Sequence, residues 1–199
     1  MNVDKIVEVV NSSGLVISPT DTVYGIMGDA LNEDVIRRVY SAKKRSYSKP
    51  LILLMSSIDM IKEYTECISD VEEELINKFL PGLMTIILKK NEKISSLICN
   101  GGDYVGIRIP DNKDLIDIIN KLGRPVISTS ANISDNDVIT RVDMIDEELL
   151  KNIDYVEDGG EVISLSSSVV RIVDGELLVL REGKISDDIK AYYMANLKK

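Results

Sequence analysis

Four short segments concentrate side chains that could bind and activate a small polar ligand. Residues 19–25 are dense in hydroxyls, which both donate and accept hydrogen bonds. Residues 43–49 combine lysine point charges with one planar guanidinium, a set that neutralises and orients phosphate oxygens. Residues 128–132 follow an apolar strand, where open α/β sheets bind ligands, and Arg108 interrupts another apolar strand. Together these groups suit phosphoryl or nucleotidyl transfer.

Each segment also has a purely structural explanation, and residue types alone leave both open. Residues 19–25 could form an ordinary turn after a strand, and the cations of 43–49 could complement a helix dipole. The hydroxyls of 128–132 could cap a helix. Arg108 needs a buried partner, which could be a ligand carboxylate or an Asp or Glu of the protein itself.

The charge of the chain is acidic overall but basic in one window. The 199 residues contain 24 Lys and Arg against 33 Asp and Glu, a net charge of −9. Such a surface repels polyanions on average, which disfavours a general nucleic-acid coat protein. Residues 35–58 nevertheless contain no acid and carry six cations, so we expect them to hold a small polyanion such as a nucleotide.

Other features of the amino-acid composition exclude several classes of protein and of binding site. No apolar run approaches the roughly 20 residues of a membrane-spanning helix. Asp4 and Glu8 interrupt any secretory signal, so a cytoplasmic location is expected. The chain has no His, and Cys67 and Cys99 form no CxxC pair, which excludes classical zinc sites and His-dependent triads. We see no linker and expect one domain over residues 1–199.

Alternating apolar patterns predict the fold class α/β, with a mixed twisted open sheet flanked by helices in three layers. Helices are predicted over 3–10, from Asn32 to about 43, and over 70–79, 113–122, 144–150 and 185–197. Strands are predicted over 15–18, 51–55, 85–89, 105–109, 126–128, 169–173 and 176–180. Asp174-Gly175 predicts a hairpin, and its antiparallel pair makes the sheet mixed.

The order of the motifs along the chain is more specific than any one of them. No Walker loop and no GxGxxG is present. The series SPTDTVYG, KKRSYSKPL, FLPGLMTIIL, VGIRIP, VISTSAN, SSSVV and LREG resembles the YrdC-like family of threonylcarbamoyl-AMP synthases over about residues 15–185. That resemblance implies a YrdC-like fold with a mixed sheet around a basic cavity.

The resemblance also implies a reaction and its partners. Family members combine L-threonine, bicarbonate and ATP into threonylcarbamoyladenylate and pyrophosphate, so this chain is expected to be a nucleotidyltransferase. A separate threonylcarbamoyl transferase then modifies adenosine 37 of tRNA, which makes tRNA an indirect partner. Mg²⁺ is expected with the triphosphate, held largely by phosphate oxygens and water rather than by protein ligands. A monomer or homodimer, without membrane contact, is expected.

Individual residues match the family's motif positions. Lys43 and Arg45 match its Lys-x-Arg, which implies that they stabilise the transferring phosphoryl group. The full set that the resemblance assigns to ATP is Lys43, Arg45, Lys49, Ser130, Asn132, Thr140 and Arg181. The set that it assigns to threonine is Thr22, Arg108, Ser128 and Ser167, with Arg108 as the candidate for the carboxylate.

The chain also departs from the family at two positions where many relatives carry histidine. Here these positions hold Leu54 and Asn112. Two alternatives therefore stay open beside the adenylate-forming synthase. One is a non-catalytic RNA-binding module, and the other is a paralogue with the same fold that acts on a different substrate. The sequence also lacks the second domain of longer family members, so the minimal catalytic form is expected.

Overall fold

The computed structural model describes residues 1–198, which form one nine-stranded mixed sheet with helices on both faces. The strands are β1 (Val16–Pro19), β2 (Tyr24–Asp29), β3 (Ile52–Leu54), β4 (Met84–Lys89), β5 (Tyr104–Arg108), β6 (Val126–Ser130), β7 (Tyr155–Val156), β8 (Ser168–Val173) and β9 (Glu176–Arg181). The helices are α1 (Val3–Asn11), α2 (Glu33–Ala42), α3 (Ile58–Tyr64), α4 (Asp70–Phe79), α5 (Lys113–Leu122), α6 (Glu147–Leu150) and α7 (Ser186–Asn196).

The order of strands brings distant parts of the chain together. Across the sheet the order is β7-β1-β2-β6-β3-β5-β4-β8-β9. Pairs β1/β7, β3/β5 and β4/β8 are parallel, and the other five neighbouring pairs are antiparallel. The carboxyl ends of β1 and β6 consequently lie at one edge with the amino ends of β2 and β3, while the carboxyl ends of β5 and β9 lie at the opposite edge with the amino ends of β4 and β8.

Successive side chains of each strand point to opposite faces of the sheet, so the core consists of two layers. Leu53 and Ile107 point into the larger cluster with Ile36 of α2 and Ile76 of α4. Leu54 points the other way, into a second cluster with α1 and α5. The predicted three-layer α/β architecture is confirmed, including a β3 that is buried on both faces.

The predicted helices and strands are present with small shifts at their ends. α4 and α5 occupy the predicted ranges, and Gly123 ends α5 in the left-handed conformation that its lack of a Cβ allows. Asn32 caps α2, accepting hydrogen bonds from the backbone N–H of Asp34 and Val35. The helix predicted over 144–150 is shorter, because residues Val142–Met144 form a 3-10 turn and only Glu147–Leu150 is α-helical.

The sequence did not predict β2, α3 or β7. β2 was missed because glycines at 25 and 28 weaken its strand pattern. A Cβ at Gly28 would lie 2.6 Å from Val35 Cγ1 and 2.9 Å from Leu15 Cδ2, so the glycine lets α2 approach the sheet closely. α3 spans only two turns and β7 only two residues, which is too short for a clear period.

The junction between β9 and α7 fixes the segment that precedes β8. Ser186 Oγ donates to Ser168 Oγ at 2.9 Å and accepts from the Gly183 N–H at 2.8 Å. The Lys184 N–H donates to the Ser166 carbonyl at 3.0 Å. A Cβ on Gly183 would lie 2.4 Å from both Ser167 C and Ser168 N, so only glycine fits there.

Within residues 1–198, none of the helices combines the length and the apolar character needed to cross a bilayer.

We predict that Gly183→Ala lowers the free energy of unfolding by about 1–3 kcal/mol, because the added methyl group overpacks against backbone atoms that cannot move independently. Urea denaturation measures this change. The matched control is Glu182→Ala, an exposed neighbour whose ion pair with Lys190 is screened by solvent and contributes little. Equal stability of Gly183→Ala and wild type would show that the close approach is not a constraint.

Candidate active site

A cavity of about 270 Å³ is lined by residues that follow β1 and end β6, together with the last residues of β5 and β9, Arg108 and Arg181. Its wall combines three arginines with a row of hydroxyl groups. The polar and charged residues that line it are Thr20, Thr22, Arg45, Arg108, Ser128, Thr129, Ser130, Ser164, Ser166, Ser167 and Arg181. Among the described residues 1–198 no acidic side chain lines it, which makes it electropositive.

Backbone carbonyl oxygens hold the three guanidinium groups in place. Arg45 donates from Nε to the Lys49 carbonyl at 2.9 Å and from Nη2 to the Pro50 carbonyl at 2.8 Å. Arg181 donates from Nη2 to the Ser167 carbonyl at 2.9 Å. Burial lowers the pKa of Arg45 and Arg108, yet an arginine remains protonated in any such setting. The cavity therefore presents fixed positive charge.

Arg108 differs from the other two because a carboxylate also holds it. Its Nε donates to the Gly82 carbonyl at 2.8 Å, and its Nη2 forms an ion pair with Asp21 Oδ2. The two side chains are 4% and 11% exposed. The Asp21 oxygen accepts a second hydrogen bond, from the Asp111 N–H at 2.9 Å. Of the two partners considered for Arg108, the structure contains the protein carboxylate, while the arginine still lines the cavity.

The Thr20–Thr22 turn places hydroxyls on the wall. Thr20 Oγ1 donates to the Val23 carbonyl at 2.7 Å and accepts from the Thr22 N–H at 3.0 Å. The same hydroxyl lies 2.8 Å from Thr22 Oγ1. On the opposite wall, Ser167 Oγ accepts from Arg181 Nη2 at 2.8 Å and lies 2.9 Å from Thr85 Oγ1. These networks fix the hydroxyl positions around the cavity.

Lys43 is buried behind the wall instead of lining the cavity. It follows α2, is 1% exposed, and its ammonium donates to the Ser130 and Asn132 carbonyls, the latter at 2.6 Å. A third bond reaches Asn132 Oδ1 at 3.2 Å. Burial and, to a smaller extent, the nearby positive charge of Arg45 lower the pKa of Lys43 to about 7. Lys43 thus ties the end of α2 to the segment after β6.

Asn132 faces a neighbouring cavity of about 470 Å³, and Val138 lines both cavities. Asn132 Oδ1 accepts from Ser130 Oγ at 2.5 Å, and Asn132 Nδ2 donates to the Asn136 carbonyl at 2.5 Å. The side chains of Asp135, Asp137 and Asp146 also surround this second cavity. Ser130 and Asn132 therefore join a basic cavity to an acidic one.

The structure brings most, but not all, of the residues singled out in the sequence to the main cavity. Thr22, Arg45, Arg108, Ser128, Ser130, Ser167 and Arg181 line it. Lys43 and Asn132 contact Ser130 from behind or beside the wall. Two residues lie elsewhere: Lys49 forms an exposed ion pair with Asp135 at 2.5 Å, and Thr140 Oγ1 donates to Met144 Sδ at 3.7 Å.

Ion pairing divides the basic window of residues 35–58 into two groups. Arg37, Arg38, Lys44 and Lys49 each pair with a carboxylate at the surface, namely Glu33, Asp154, Glu148 and Asp135. Within the described residues 1–198, Lys43 and Arg45 have no such partner and bond instead to uncharged oxygens. Of these two residues, Arg45 lines the cavity and Lys43 lies behind its wall.

Asp21 and Thr85 contact residues of the site, although the sequence pattern did not predict a role for either. Asp21 lies between the two threonines of the first motif, and the need of Arg108 for an acidic partner was the signal that could have identified it. Leu54 and Asn112, where the chain departs from the family pattern, lie outside the cavity lining. Leu54 packs under α1 and α5, and Asn112 caps α5.

Across residues 1–198, no group of three or more Cys, Asp or Glu side chains is arranged to hold a metal ion. The acidic side chains of the second cavity belong to one loop and the start of α6.

Comparisons with known proteins agree with this geometry. Residues 8–183 match the Sua5/YciO/YrdC family model, which carries the description "Telomere recombination". A Methanocaldococcus jannaschii relative is 43% identical over 180 residues, covering 89% of this chain and 83% of that protein. The Pyrococcus abyssi threonylcarbamoyl-AMP synthase is 33% identical over 170 residues, which are 85% of this chain but only 50% of that protein.

A solved structure gives the same result at the level of the fold. The crystal structure of Pyrococcus abyssi Sua5 complexed with L-threonine superimposes with a TM-score of 0.86 at 31% identity, over 91% of this chain and 54% of that one. The matched part thus includes nearly the whole of this sheet. Since the family model spans all the strands described above and the identities exceed 30%, the chain belongs to the Sua5/YciO/YrdC family.

Proposed function

We propose that this protein is a threonylcarbamoyl-AMP synthase that uses L-threonine, bicarbonate and ATP and releases pyrophosphate. The observation that carries the proposal is the convergence of three guanidinium groups on one hydroxyl-lined cavity. Relatives named threonylcarbamoyl-AMP synthase support it, as does the relative complexed with L-threonine. The relative from Bacillus subtilis is 31% identical, and this chain spans 51% of it.

The proposed reaction forms two bonds in sequence. The threonine amine attacks bicarbonate, loses a proton and gives a carbamate with release of water. A carbamate oxygen then attacks the α-phosphorus of ATP, and the bond from that phosphorus to the pyrophosphate oxygen breaks. Negative charge develops on the departing pyrophosphate, so preorganised cations lower the barrier. Holding the carbamate beside the α-phosphorus removes the entropic cost of their encounter.

Arg45 and Arg181 are our candidates for the phosphates. Both line the cavity, and each is tethered by a carbonyl oxygen that orients the guanidinium without cancelling its charge. Lys43 adds a further positive charge beneath Ser130 and holds the Ser130–Asn132 segment in shape. We assign Ser130 and Asn132 to the nucleotide on the same grounds, and Lys49 and Thr140 stay proposals that rest on the resemblance alone.

Arg108 and its neighbours are our candidates for threonine. Arg108 has one guanidinium nitrogen, Nη1, that makes no hydrogen bond to residues 1–198, and this nitrogen can donate to a carboxylate. Hydroxyls of Thr22, Ser128 and Ser167 line the same cavity and can bond the amine and the hydroxyl of the amino acid. Threonine carries one carboxylate, one amine and one hydroxyl, which this wall can satisfy.

The volumes fit one small ligand beside a larger one. Typical ligand pockets measure about 300–1,000 Å³. The main cavity of about 270 Å³ lies just below that range, and the adjoining cavity of about 470 Å³ meets it at Val138. We infer that threonine and the reacting phosphates occupy the main cavity, while the remainder of the nucleotide extends past Ser130 toward Asn132.

Mg²⁺ commonly accompanies ATP, but in the described part of the chain no carboxylate that could bind it lines the cavity. We therefore assign no metal ligand and derive no step through the ion.

The proposed product would serve a separate transferase that modifies adenosine 37 of tRNA, so this protein would meet tRNA only indirectly, in the cytoplasm. The alternative of an RNA-binding module gains no support from the surface, because four of the six cations in the basic window are neutralised by carboxylates. The alternative of another substrate is tested by omitting or replacing threonine.

We predict that the purified protein releases pyrophosphate only when ATP, L-threonine and bicarbonate are all present, with threonylcarbamoyladenylate detected by mass spectrometry. Omitting each substrate in turn is the control. Pyrophosphate release that is indifferent to threonine, or that needs a different amino acid, would contradict the proposed function.

We predict that Arg45→Ala lowers kcat/KM by about 100-fold or more, the scale for removing one preorganised charge-stabilising group. Arg37→Ala is the matched control, because Arg37 lies in the same basic window but is exposed and paired with Glu33. Steady-state kinetics of both variants measure the difference. If the two variants keep equal rates, Arg45 has no part in the reaction.

We predict that ATP binding takes up a proton at about pH 8. In the free protein Lys43 is largely neutral there, because its pKa is lowered to about 7, and a nearby triphosphate raises that pKa again. Affinity should consequently fall as the pH rises above about 7. Calorimetry in two buffers of different ionisation enthalpy measures the uptake. Lys43→Met should abolish the additional uptake, and identical proton uptake in that variant would rule out this role of Lys43.

A further inference from the structure

The buried ion pair of Arg108 and Asp21 has a geometry that contributes little to the stability of the folded protein. The second carboxylate oxygen of Asp21, Oδ1, is buried and has no hydrogen-bond partner in residues 1–198. An unpaired buried carboxylate oxygen costs free energy, and a buried ion pair seldom stabilises more than apolar residues of similar size. Function, rather than stability, is the better explanation for this pair.

A second arginine pair in the same sheet shows the contrast. Asp29 Oδ2 accepts from Arg124 Nε at 2.8 Å, and Asp29 Oδ1 accepts from the Leu31 N–H at 2.8 Å. Both oxygens are therefore satisfied. Neither residue lines the main cavity. This pair has the features of a structural contact, whereas the Asp21 pair holds a side chain that lines the site.

The geometry leaves Arg108 with one orientation. Nη2 is held by Asp21, a residue that does not itself line the cavity, and Nε is held by the Gly82 carbonyl. A planar guanidinium fixed at two of its three nitrogens cannot rotate. Nη1 is the one guanidinium nitrogen without a hydrogen bond to residues 1–198, so it can donate to a carboxylate in the direction that the two tethers set.

We propose that Asp21 is a positioning residue of the threonine site, which acts by fixing Arg108 so that Nη1 faces the amino-acid carboxylate. The proposal rests on the proposed function and deepens it. Without Asp21, Arg108 keeps one tether and is drawn toward the phosphate-binding half of the cavity. Asp21 thus keeps the Arg108 guanidinium, which binds the carboxylate, apart from Arg45 and Arg181. Those two arginines are held by uncharged carbonyl groups.

Positioning and simple electrostatics predict opposite results for Asp21→Asn. Removing a negative charge beside Arg108 would by itself tighten the binding of a carboxylate. Loss of the fixed orientation instead weakens it. We expect the dissociation constant of L-threonine to rise by about 10-fold or more, the scale of one charge-assisted hydrogen bond. We expect the dissociation constant of ATP to change by less than about 3-fold.

The experiment measures L-threonine and ATP binding separately, by calorimetry, on wild type, Asp21→Asn and the matched control Asp29→Asn. The control removes the carboxylate of the satisfied pair and should leave threonine binding unchanged. Threonine binding by Asp21→Asn that is equal to or tighter than wild type overturns the proposal. A wild-type protein that binds no threonine overturns the proposed function and this proposal with it.

A double variant guards against misfolding, because Asp21→Asn leaves Arg108 as a buried charge without its carboxylate. Arg108→Gln with Asp21→Asn removes both charges and is expected to fold. Asp21 acts only through Arg108 in this account, so threonine binding should be equally weak in Arg108→Gln and in the double variant. A further loss in the double variant would show that Asp21 acts by another route and would overturn the proposal.

Discussion

Three guanidinium groups of like charge share one cavity, and the rest of the site depends on how they are held there. Each donates to at least one backbone carbonyl, at Lys49 and Pro50, at Gly82 or at Ser167. These carbonyls come from segments far apart in sequence, so the charges meet only when the whole sheet has formed. The free energy of folding therefore offsets the electrostatic repulsion among the three guanidinium groups. A bound anionic ligand reduces that repulsion.

The order of the strands brings together residues that are distant in sequence. β1 and β5 are separated by β2, β6 and β3 and run in opposite directions. Asp21, in the turn after β1, nevertheless contacts Arg108 at the end of β5. The β9–α7 junction fixes the segment with Ser167 from the other side, where Gly183 permits direct backbone contact. The cavity is consequently a property of the topology rather than of any single motif.

Local features of the chain were predictable from the sequence, and its long-range pairs were not. The cap at Asn32, the end of α5 at Gly123 and the hairpin at Asp174-Gly175 each depend on a few neighbouring residues. β2 was missed because Gly25 and Gly28 serve close packing instead of strand propensity. The order of the nine strands decides that Asp21 meets Arg108, and periodicity contains no information about that order.

The charge pattern of residues 35–58 likewise predicted only part of the site. Its six cations predicted a polyanion site, but pairing with carboxylates from residues 33, 135, 148 and 154 neutralises four of them. Of the remaining two, Arg45 lines the cavity, while Lys43 lies beneath Ser130 and Asn132. The resemblance indicated both positions, and only the structure distinguishes a side chain that faces the ligand from one that shapes the wall.

The most direct test of this account is a crystal structure of the protein with L-threonine and a non-hydrolysable ATP analogue. The account predicts the threonine carboxylate within hydrogen-bond distance of Arg108 Nη1 and the phosphates against Arg45 and Arg181. Threonine bound outside this cavity, or phosphates seated on Arg108, would contradict it.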